Sequence, residues 1–288
     1  MWRTPSGVKK QSSDARINDI LKSPDKFRML ERVPLMPNNI PIKLREPHDD
    51  DISIVVVDCE TTGLSYNDKV IEMGMVRCRY NKSGQLTSVD DALSMLQDPG
   101  IPIPLDVTSM TGITDAMVRG KHIDKNLVQS MLHDDPFVVA HNAAFDRPLF
   151  ERILSNDCRW ACTMVGIPWK DLGHDSVGLG TILEREGWFF DAHRSLPDCL
   201  AMAWMLHVVP DTVNILLAPS MKVMAMGAPI ETKDTLKRRG YHWNSADKYW
   251  WRLYDTKGVE GELAYLRQLY HDSNQPIARQ FNLRTAFK

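Results

Sequence analysis

Two acidic residues stand at the end of an apolar, β-branched segment. Residues 52–64 read I-S-I-V-V-V-D-C-E-T-T-G-L, so Asp58 and Glu60 come directly after Val57. Residues two apart in a strand face the same side, which places both carboxylates next to each other at the edge of a buried core. Like charges that close repel each other unless a cation lies between them. The pattern therefore predicts a divalent metal site at the end of a buried strand.

Three further residues suited to the same chemistry stand where predicted elements meet. Asp146 follows a short apolar strand, residues 136–140, in H-N-A-A-F-D. His193 and Asp198 lie in H-R-S-L-P-D, just before an apolar helix. Residues five apart do not share one face of a continuous helix, so we expect His193 in the loop or at the helix start. Pro197 agrees with this, since proline is accommodated in a first helical turn.

Each of these residues also has a purely structural interpretation. Asp198 with Ser195 fits a helix capping box of the S-x-x-D kind, and Asp146 could cap the helix that contains Leu149. An isolated loop histidine such as His193 is more often structural or solvent-facing than catalytic. These interpretations leave unexplained why all five residues occur in this order at junctions between elements.

The motifs together resemble one family. D-C-E-T-T-G-L, T-G-I-T at residues 111–114, H-N-A-A-F-D and H-R-S-L-P-D are similar to the motifs of the DEDDh branch of the DnaQ-like exonucleases, which includes the DNA polymerase III epsilon-type exonuclease domain. The resemblance covers about residues 52–208. It implies a ribonuclease H-like α/β fold, with a mixed central β-sheet flanked by helices. It also implies 3′–5′ exonuclease activity that releases nucleoside monophosphates, and we expect DNA as the substrate.

The resemblance also assigns roles to residues. It implies that two Mg²⁺ ions, for which Mn²⁺ substitutes, are bound by four carboxylates: Asp58, Glu60, Asp146 and Asp198. It makes His193 the general base. The residues expected near the terminal nucleotide are Thr61, Thr62, Gly63, Gly112, Ile113 and Asn142. Thr111 departs from the family pattern, since many relatives have histidine before G-I-T; this affects how the terminal nucleotide is held and not the metal ligands.

These residue types suit phosphodiester hydrolysis. The reaction needs a hydroxide nucleophile at neutral pH and stabilisation of the departing 3′ oxygen, which two metal ions supply together. Magnesium prefers hard oxygen ligands, hence carboxylates. An ordinary histidine, with a pKa of about 6.5, is able to accept the proton of the attacking water near pH 7.

Three other functions remain open from the sequence. The same enzyme could be the proofreading subunit of a DNA polymerase, or it could trim RNA 3′ ends. The Thr-Thr-Gly turn of residues 61–63 favours DNA weakly. A non-catalytic nucleic-acid-binding protein on the same fold is the third alternative, but a binder has no need for four converging acids.

Composition limits the class of protein. The chain has 288 residues, a net charge of −2 and a hydrophobic fraction of 43%, so any nucleic-acid contact needs local basic patches. No apolar run reaches the ~18 residues that span a membrane, and the polar start does not resemble a secretory signal. The five scattered cysteines contain no C-x-x-C pair and indicate free thiols in a reducing cytoplasm.

The pattern along the chain predicts five parts. Residues 1–50 hold several prolines and form a partly disordered arm, and residues 51–210 form the exonuclease domain. A linker at 211–220 precedes a small βαββα module at 221–275, and residues 276–288 are a C-terminal tail. Dimers are common in this fold, so a homodimer is compatible with the sequence, as is a polymerase or repair partner.

The small module combines basic and aromatic residues. Between residues 233 and 252 there are six Lys or Arg against two Asp, interleaved with aromatic rings. Basic groups hold phosphates and aromatic faces stack bases, so we expect nucleic-acid contacts, on single-stranded or frayed DNA 3′ ends, from Lys237, Arg238, Arg239, Trp243, Lys248 and Trp250. The alternative is that the aromatic residues form the core of a small unit or a dimer interface.

Overall fold

The structure is a computed structural model that describes residues 13–65, 67–270 and 275–288. The arm prediction falls partly on residues 1–12, which lie outside the described residues. Within the described ranges, no helix is both long and apolar enough to cross a membrane.

The described residues alternate between short helices and strands. The helices are α1 (Ser13–Lys22), α2 (Leu105–Thr111), α3 (Asp115–Val118), α4 (Lys125–Met131), α5 (Ala143–Ile153), α6 (Thr163–Gly166), α7 (Leu179–Arg185), α8 (Ser195–Val208), α9 (Thr212–Leu217), α10 (Lys233–Arg238) and α11 (Val259–Leu269). The strands are β1 (Glu31–Arg32), β2 (Ile42–Lys43), β3 (Ile52–Thr61), β4 (Val70–Tyr80), β5 (Leu86–Leu96), β6 (Phe137–Ala140), β7 (Arg159–Cys162), β8 (Trp188–Phe189), β9 (Ser220–Ala225), β10 (His242–Asn244), β11 (Tyr249–Asp255) and β12 (Ile277–Phe281).

Six strands form the central sheet in the order β2-β5-β4-β3-β6-β7. Strands β3, β4 and β5 pair antiparallel, whereas β6 runs parallel to β3 and β7 parallel to β6. The predicted α/β fold with a mixed central sheet is confirmed. Because β6 is parallel to β3, the carboxyl ends of these two strands meet at one edge, where the acids of both motifs must converge.

Both faces of β3 are covered, which explains its unbroken apolar run. Ile54 and Val56 belong to the hydrophobic core that contains α8. Val55 and Val57 belong to the core on the opposite face, together with the apolar side of α5. Helix α8 is buried from residue 199 to residue 206, as expected of a helix that is apolar on every side.

The segment before β3 packs on the central sheet. β1 pairs with β8, β2 pairs with β5, and Val33 and Leu35 are 3% exposed in the core that contains α8. The sequence did not predict these pairings because two-residue strands among prolines show no periodic pattern.

The small module is a second sheet, in the order β10-β11-β9-β12. Its core contains Leu236 of α10, Leu266 of α11, and Tyr241 and Trp250 of the hairpin. Strands β10 and β11 pair antiparallel as a hairpin. Strand β12 was not predicted; it pairs antiparallel with β9 inside the segment interpreted as a tail, because I-A-R-Q-F is too short and polar to indicate a strand alone.

After β12 the chain returns to the first sheet as a C-terminal strap, residues 282–288. The backbone N–H of Trp160 in β7 donates to the carbonyl of Leu283 at 2.8 Å. Arg147 of α5, 0% exposed, donates to the carbonyls of Leu283, Arg284 and Ala286 at 3.2, 2.7 and 2.6 Å. The strap therefore completes the burial of the helix that carries Asp146.

Candidate active site

Three carboxylates converge at the carboxyl end of β3. One oxygen each of Asp58, Glu60 and Asp198 lies within 4.8 Å of the others. Asp58 and Glu60 are two apart on β3, so the strand places both on one face, and the first turn of α8 brings Asp198 to them. A cluster of hard oxygen donors this close fits a divalent cation.

Asp146, the fourth predicted ligand, lies outside the set of three whose oxygens come within 4.8 Å of one another, and it is the most deeply buried of the four acids, at 3% exposure. Its Oδ1 accepts a hydrogen bond of 3.1 Å from the backbone N–H of Cys59, between the two β3 acids. It lies in the first turn of α5, whose N-cap residue is Asn142. The helix therefore begins six residues before Leu149, and its start turns Asp146 onto β3.

The metal-free cluster holds protons tightly. Burial, followed by the charges of Asp146 and Asp198, raises the pKa of Asp58 well above its usual value. Burial raises the pKa of Asp146 to about 8, although the Cys59 N–H acts against the rise. Burial raises the pKa of Glu60 to about 7 and that of Asp198 to about 6. The four carboxylates resist joint ionisation because their charges repel one another. Bound cations would stabilise the ionised forms, and the carboxylate oxygens would be their ligands.

His193 lies in the exposed loop between β8 and α8, with a backbone φ of 69°. Its charge acts to lower the pKa of Glu60, and the N–H of the next residue, Arg194, is bonded to Asp198. Histidine tolerates this left-handed conformation better than most residues. His193 is thus in the loop that adjoins the carboxylates, with an exposed side chain.

The capping box proposed for Ser195 and Asp198 does not form. The N-cap of α8 is Arg194, and the Asp198 Oδ2 accepts its N–H at 3.0 Å. The Ser195 hydroxyl is buried and has no hydrogen-bond partner among the described residues. Asp198 therefore holds the backbone of Arg194, the residue after His193, and its carboxylate also lies close to the acids of β3.

A buried acid of β4 anchors the loop that carries His193. Glu72, 1% exposed, accepts hydrogen bonds from Arg194 Nε at 3.0 Å and Nη2 at 2.6 Å, and from the Ser195 N–H at 3.0 Å. Burial acts to raise the pKa of Glu72, but the hydrogen bonds from Arg194 and Ser195 outweigh it and lower the pKa. Sequence reasoning missed Glu72; the available signal was one acid inside the apolar segment 70–76.

Gly74, two residues after Glu72 on β4, allows the start of α8 to pack closely against this strand. A Cβ at Gly74 would lie 2.5 Å from the carbonyl carbon of Ser195. We expect Gly74→Ala to displace the start of α8 and to lower turnover by about 10²-fold, the cost of a misplacement near 1 Å. Gly180→Ala is the control, because nothing lies within 4 Å of its Cβ. Steady-state nuclease rates decide: equal rates for the two variants would contradict the positioning role.

The residues expected at the terminal nucleotide lie in two loops and at one helix start. Thr62 is 4% exposed and its hydroxyl donates to Asp68 at 2.9 Å, while a Cβ at Gly63 would lie 2.8 Å from the same carboxylate. Thr61 is buried and donates to the Gly63 carbonyl. These residues fix a tight turn, in which the Thr62 N–H also donates to the Lys69 carbonyl at 2.9 Å. The Gly63 N–H and the exposed Leu64 are therefore the parts of the described turn that remain for a ligand.

The T-G-I-T motif ends a helix. Gly112 is the C-cap of α2, with φ 72°, and Ile113 is 0% exposed. The Thr111 hydroxyl donates to the Val107 carbonyl at 2.9 Å and accepts from the Ile113 N–H at 3.1 Å. Thr111 therefore stabilises this turn. Asn142 is exposed at the start of α5.

The six module residues separate into two groups. Trp250 is 8% exposed within the module core, and Arg239 pairs with Glu262 at 2.7 Å. The other four are exposed: Lys237, Arg238, Trp243 and Lys248.

Comparisons with known proteins agree with this site. Residues 55–156 match the family model described as an exonuclease. Over 118 residues the chain is 42% identical to a PolC-type DNA polymerase III of Clostridium perfringens, and over 117 residues 38% identical to that of Listeria innocua. Each match covers 39% of this chain and 8% of the polymerase. The chain thus spans a small fraction of these relatives' length.

Solved structures of exonucleases are also similar. Exonuclease X, in complex with 5′ overhanging duplex DNA, is 23% identical with a TM-score of 0.43, covering 56% of this chain and 91% of that chain. The nuclease domain of 3′hExo, a DEDDh family member bound to rAMP, is 14% identical with a TM-score of 0.45, covering 55% and 92%.

Residues 55–156 therefore form a region similar to exonucleases, within a chain whose described residues fold as α/β with a mixed central sheet. The predicted resemblance to exonucleases is confirmed for residues 55–156, which hold three of the four motifs; H-R-S-L-P-D at residues 193–198 lies outside the match.

Proposed function

We propose that the protein is a 3′–5′ exonuclease that hydrolyses DNA to nucleoside monophosphates. The observation that carries the proposal is the convergence of Asp58, Glu60 and Asp198 within 4.8 Å, with Asp146 bonded between the β3 acids. A binding protein would not retain buried acids that repel one another.

Each side chain has a distinct part in the proposed reaction. The four carboxylates would hold two Mg²⁺ ions, or Mn²⁺ in their place. When bound, such ions supply a water of lowered pKa and stabilise the departing 3′ oxygen. His193 would accept the proton of the attacking water, since its side chain is exposed and lies in the loop that adjoins Asp198. The backbone of the turn at residues 61–63 orients the terminal nucleotide.

His193→Asn tests the proton-transfer role. Asparagine tolerates the left-handed backbone at this position, so the loop should keep its conformation. We expect turnover to fall by about 10²–10⁴-fold, the usual contribution of a general base, while Mn²⁺ affinity stays near that of the wild type. Calorimetric titration beside rate measurements separates the two quantities. An equal loss of metal affinity and turnover would show that His193 acts as a ligand.

The substrate class is tested with a matched panel. Purified protein is incubated with single-stranded, duplex and frayed DNA and with RNA of the same sequence, in Mg²⁺ or EDTA. We expect the highest kcat/KM on single-stranded or frayed DNA 3′ ends. Faster cleavage of RNA would replace the proposal with 3′ trimming of RNA.

A proofreading role is the second candidate, because the relatives matched here are DNA polymerases. A primer with a mismatched 3′ end discriminates: a proofreading enzyme removes the mismatched nucleotide faster than a paired one.

We also propose the domain division given above, with β12 added to the module and residues 31–43 added to the exonuclease domain.

A further inference from the structure

A cleft lies between the exonuclease domain and the C-terminal module. Its volume is about 300 Å³, at the small end of the range for ligand sites, which occur preferentially between domains. One wall comes from residues 164–170 and Val177, and the other from Lys237 and residues 240–242 with Arg252 and Leu253. The cleft is therefore formed only when both units are present.

The walls of this cleft are mostly apolar, and the charged residues in them are all cationic. Tyr241 and Trp169 are 4% and 2% exposed and contribute aromatic surface. The charged residues among the described lining are Lys170, Lys237 and Arg252, and no carboxylate is among them. Apolar walls beside cations fit a group that is flat and apolar at one end and anionic at the other.

The two lysines are available to a ligand to different degrees. Lys170 Nζ donates to the Lys237 carbonyl at 2.6 Å, which leaves two of its donors,. The Lys237 side chain is exposed on the last turn of α10. Arg252 is held by Asp171 and by the Arg239 carbonyl. The two lysine ammonium groups are thus the positive charges that remain for an anion.

The cleft is connected to the carboxylate cluster through the end of β6. The Met164 N–H donates to the His141 carbonyl at 3.1 Å, and the Thr163 hydroxyl and His141 Nδ1 are 2.7 Å apart. His141 directly precedes Asn142, the N-cap of the helix that carries Asp146. Both sites therefore flank the same strand end.

We propose that this cleft binds a nucleoside phosphate, either as a unit of the substrate strand or as a free mononucleotide. The apolar base takes the nucleobase, and Lys170 and Lys237 take the phosphate. The identity of the ligand rests on the proposed function. In the module, Arg239 pairs with Glu262 and Trp250 is in the core. The nucleic-acid contact therefore lies on the face of the module that meets the exonuclease domain.

Lys237→Glu in an Asp58→Asn background, with EDTA, tests the cleft without catalysis. The matched control is Lys233→Glu, because Lys233 is also exposed on α10, one turn away, and does not line the cleft. Binding of a fluorescein-labelled single-stranded oligothymidylate is measured by anisotropy across a salt series. We expect Lys237→Glu to raise Kd about tenfold and to reduce the salt slope by about 1, and Lys233→Glu to change Kd less than about twofold.

A second arm separates the two sources of ligand. If dTMP displaces the oligonucleotide from the control variant, the cleft takes the free mononucleotide; if it does not, while binding depends on Lys237, the cleft takes the strand. Equal Kd values for the two charge reversals, with equal melting temperatures, would overturn the proposal. The binding test uses the Asp58→Asn background and so does not depend on nuclease activity. If the wild-type protein showed no nuclease activity, the proposed function would be refuted, but the binding result for the cleft would still hold.

Discussion

Asp58→Asn is expected to lower hydrolysis by about 10³-fold or more and, in the same protein, to raise stability when cations are absent. The loss of rate follows from the loss of a ligand to ions that contribute several kcal/mol to the transition state. The gain in stability follows from removing a carboxyl whose ionised form is disfavoured first by burial and then by the charges of Asp146 and Asp198. Opposite changes in activity and stability are the trade-off expected when a substitution relieves strain in an active site.

The same electrostatics set a pH dependence for the metal-free protein. The pKa values of Asp146, Glu60 and Asp198 are raised on folding, to about 8, 7 and 6. A carboxyl whose folded pKa is raised stabilises the fold fully below its unfolded pKa, and this contribution is lost as pH rises through the folded value. In EDTA, the melting temperature should therefore fall between about pH 4 and pH 8.

Melting curves with EDTA or Mn²⁺ measure this directly. Cations bound only by the folded state should restore the melting temperature at pH 8 in the wild type and have less effect on Asp58→Asn. Asp49→Asn is the control, since Asp49 is exposed and lies outside the cluster. A wild-type melting temperature that responds to neither pH nor cations would contradict the site.

Deleting residues 282–288 is expected to destabilise the protein by several kcal/mol, because each hydrogen bond to a charged group contributes about 1.5–3 kcal/mol. The strap supplies three backbone carbonyls to the guanidinium of Arg147, which is 0% exposed. After the deletion, Glu151, at 2.8 Å, is the partner that remains among those described. The N–H of Trp160 loses its acceptor as well.

Urea denaturation tests the strap with two companion variants. Deleting Lys288 alone should change the free energy of unfolding little, because its side chain is exposed. Arg147→Met, added to the longer deletion, should recover part of the loss, since it removes the unpaired charge. Unchanged stability after the full deletion would show that the strap contributes nothing to the exonuclease fold.

The sequence predicted the elements whose apolar pattern is local. Strands β3 and β6 and helix α8 show continuous or periodic apolar residues, and the four carboxylates with His193 carry recognisable motifs. Partners distant in the chain were not predictable: the pairing of Glu72 with Arg194 joins residues 122 positions apart, and a strand pattern does not reveal which loop will cover its end.

The C-terminal module shows the same limit. Alternation along β11 implied that about half of its aromatic residues would be buried, and the structure shows that Trp250 faces the core, since it belongs to the module's apolar cluster. Strand β12 and the strap gain their structure from β9 and Arg147, so residues 276–288 had no local signal of their own.

One measurement tests the central claim most directly. Single-stranded DNA labelled at its 5′ end is incubated with wild-type protein and with Asp58→Asn, in Mg²⁺ and in EDTA, and the products are resolved by length. The account predicts a ladder that shortens one nucleotide at a time in Mg²⁺, with no products in EDTA or from Asp58→Asn. Immediate release of the labelled mononucleotide, or the same ladder from Asp58→Asn, would contradict a 3′–5′ exonuclease built on these carboxylates.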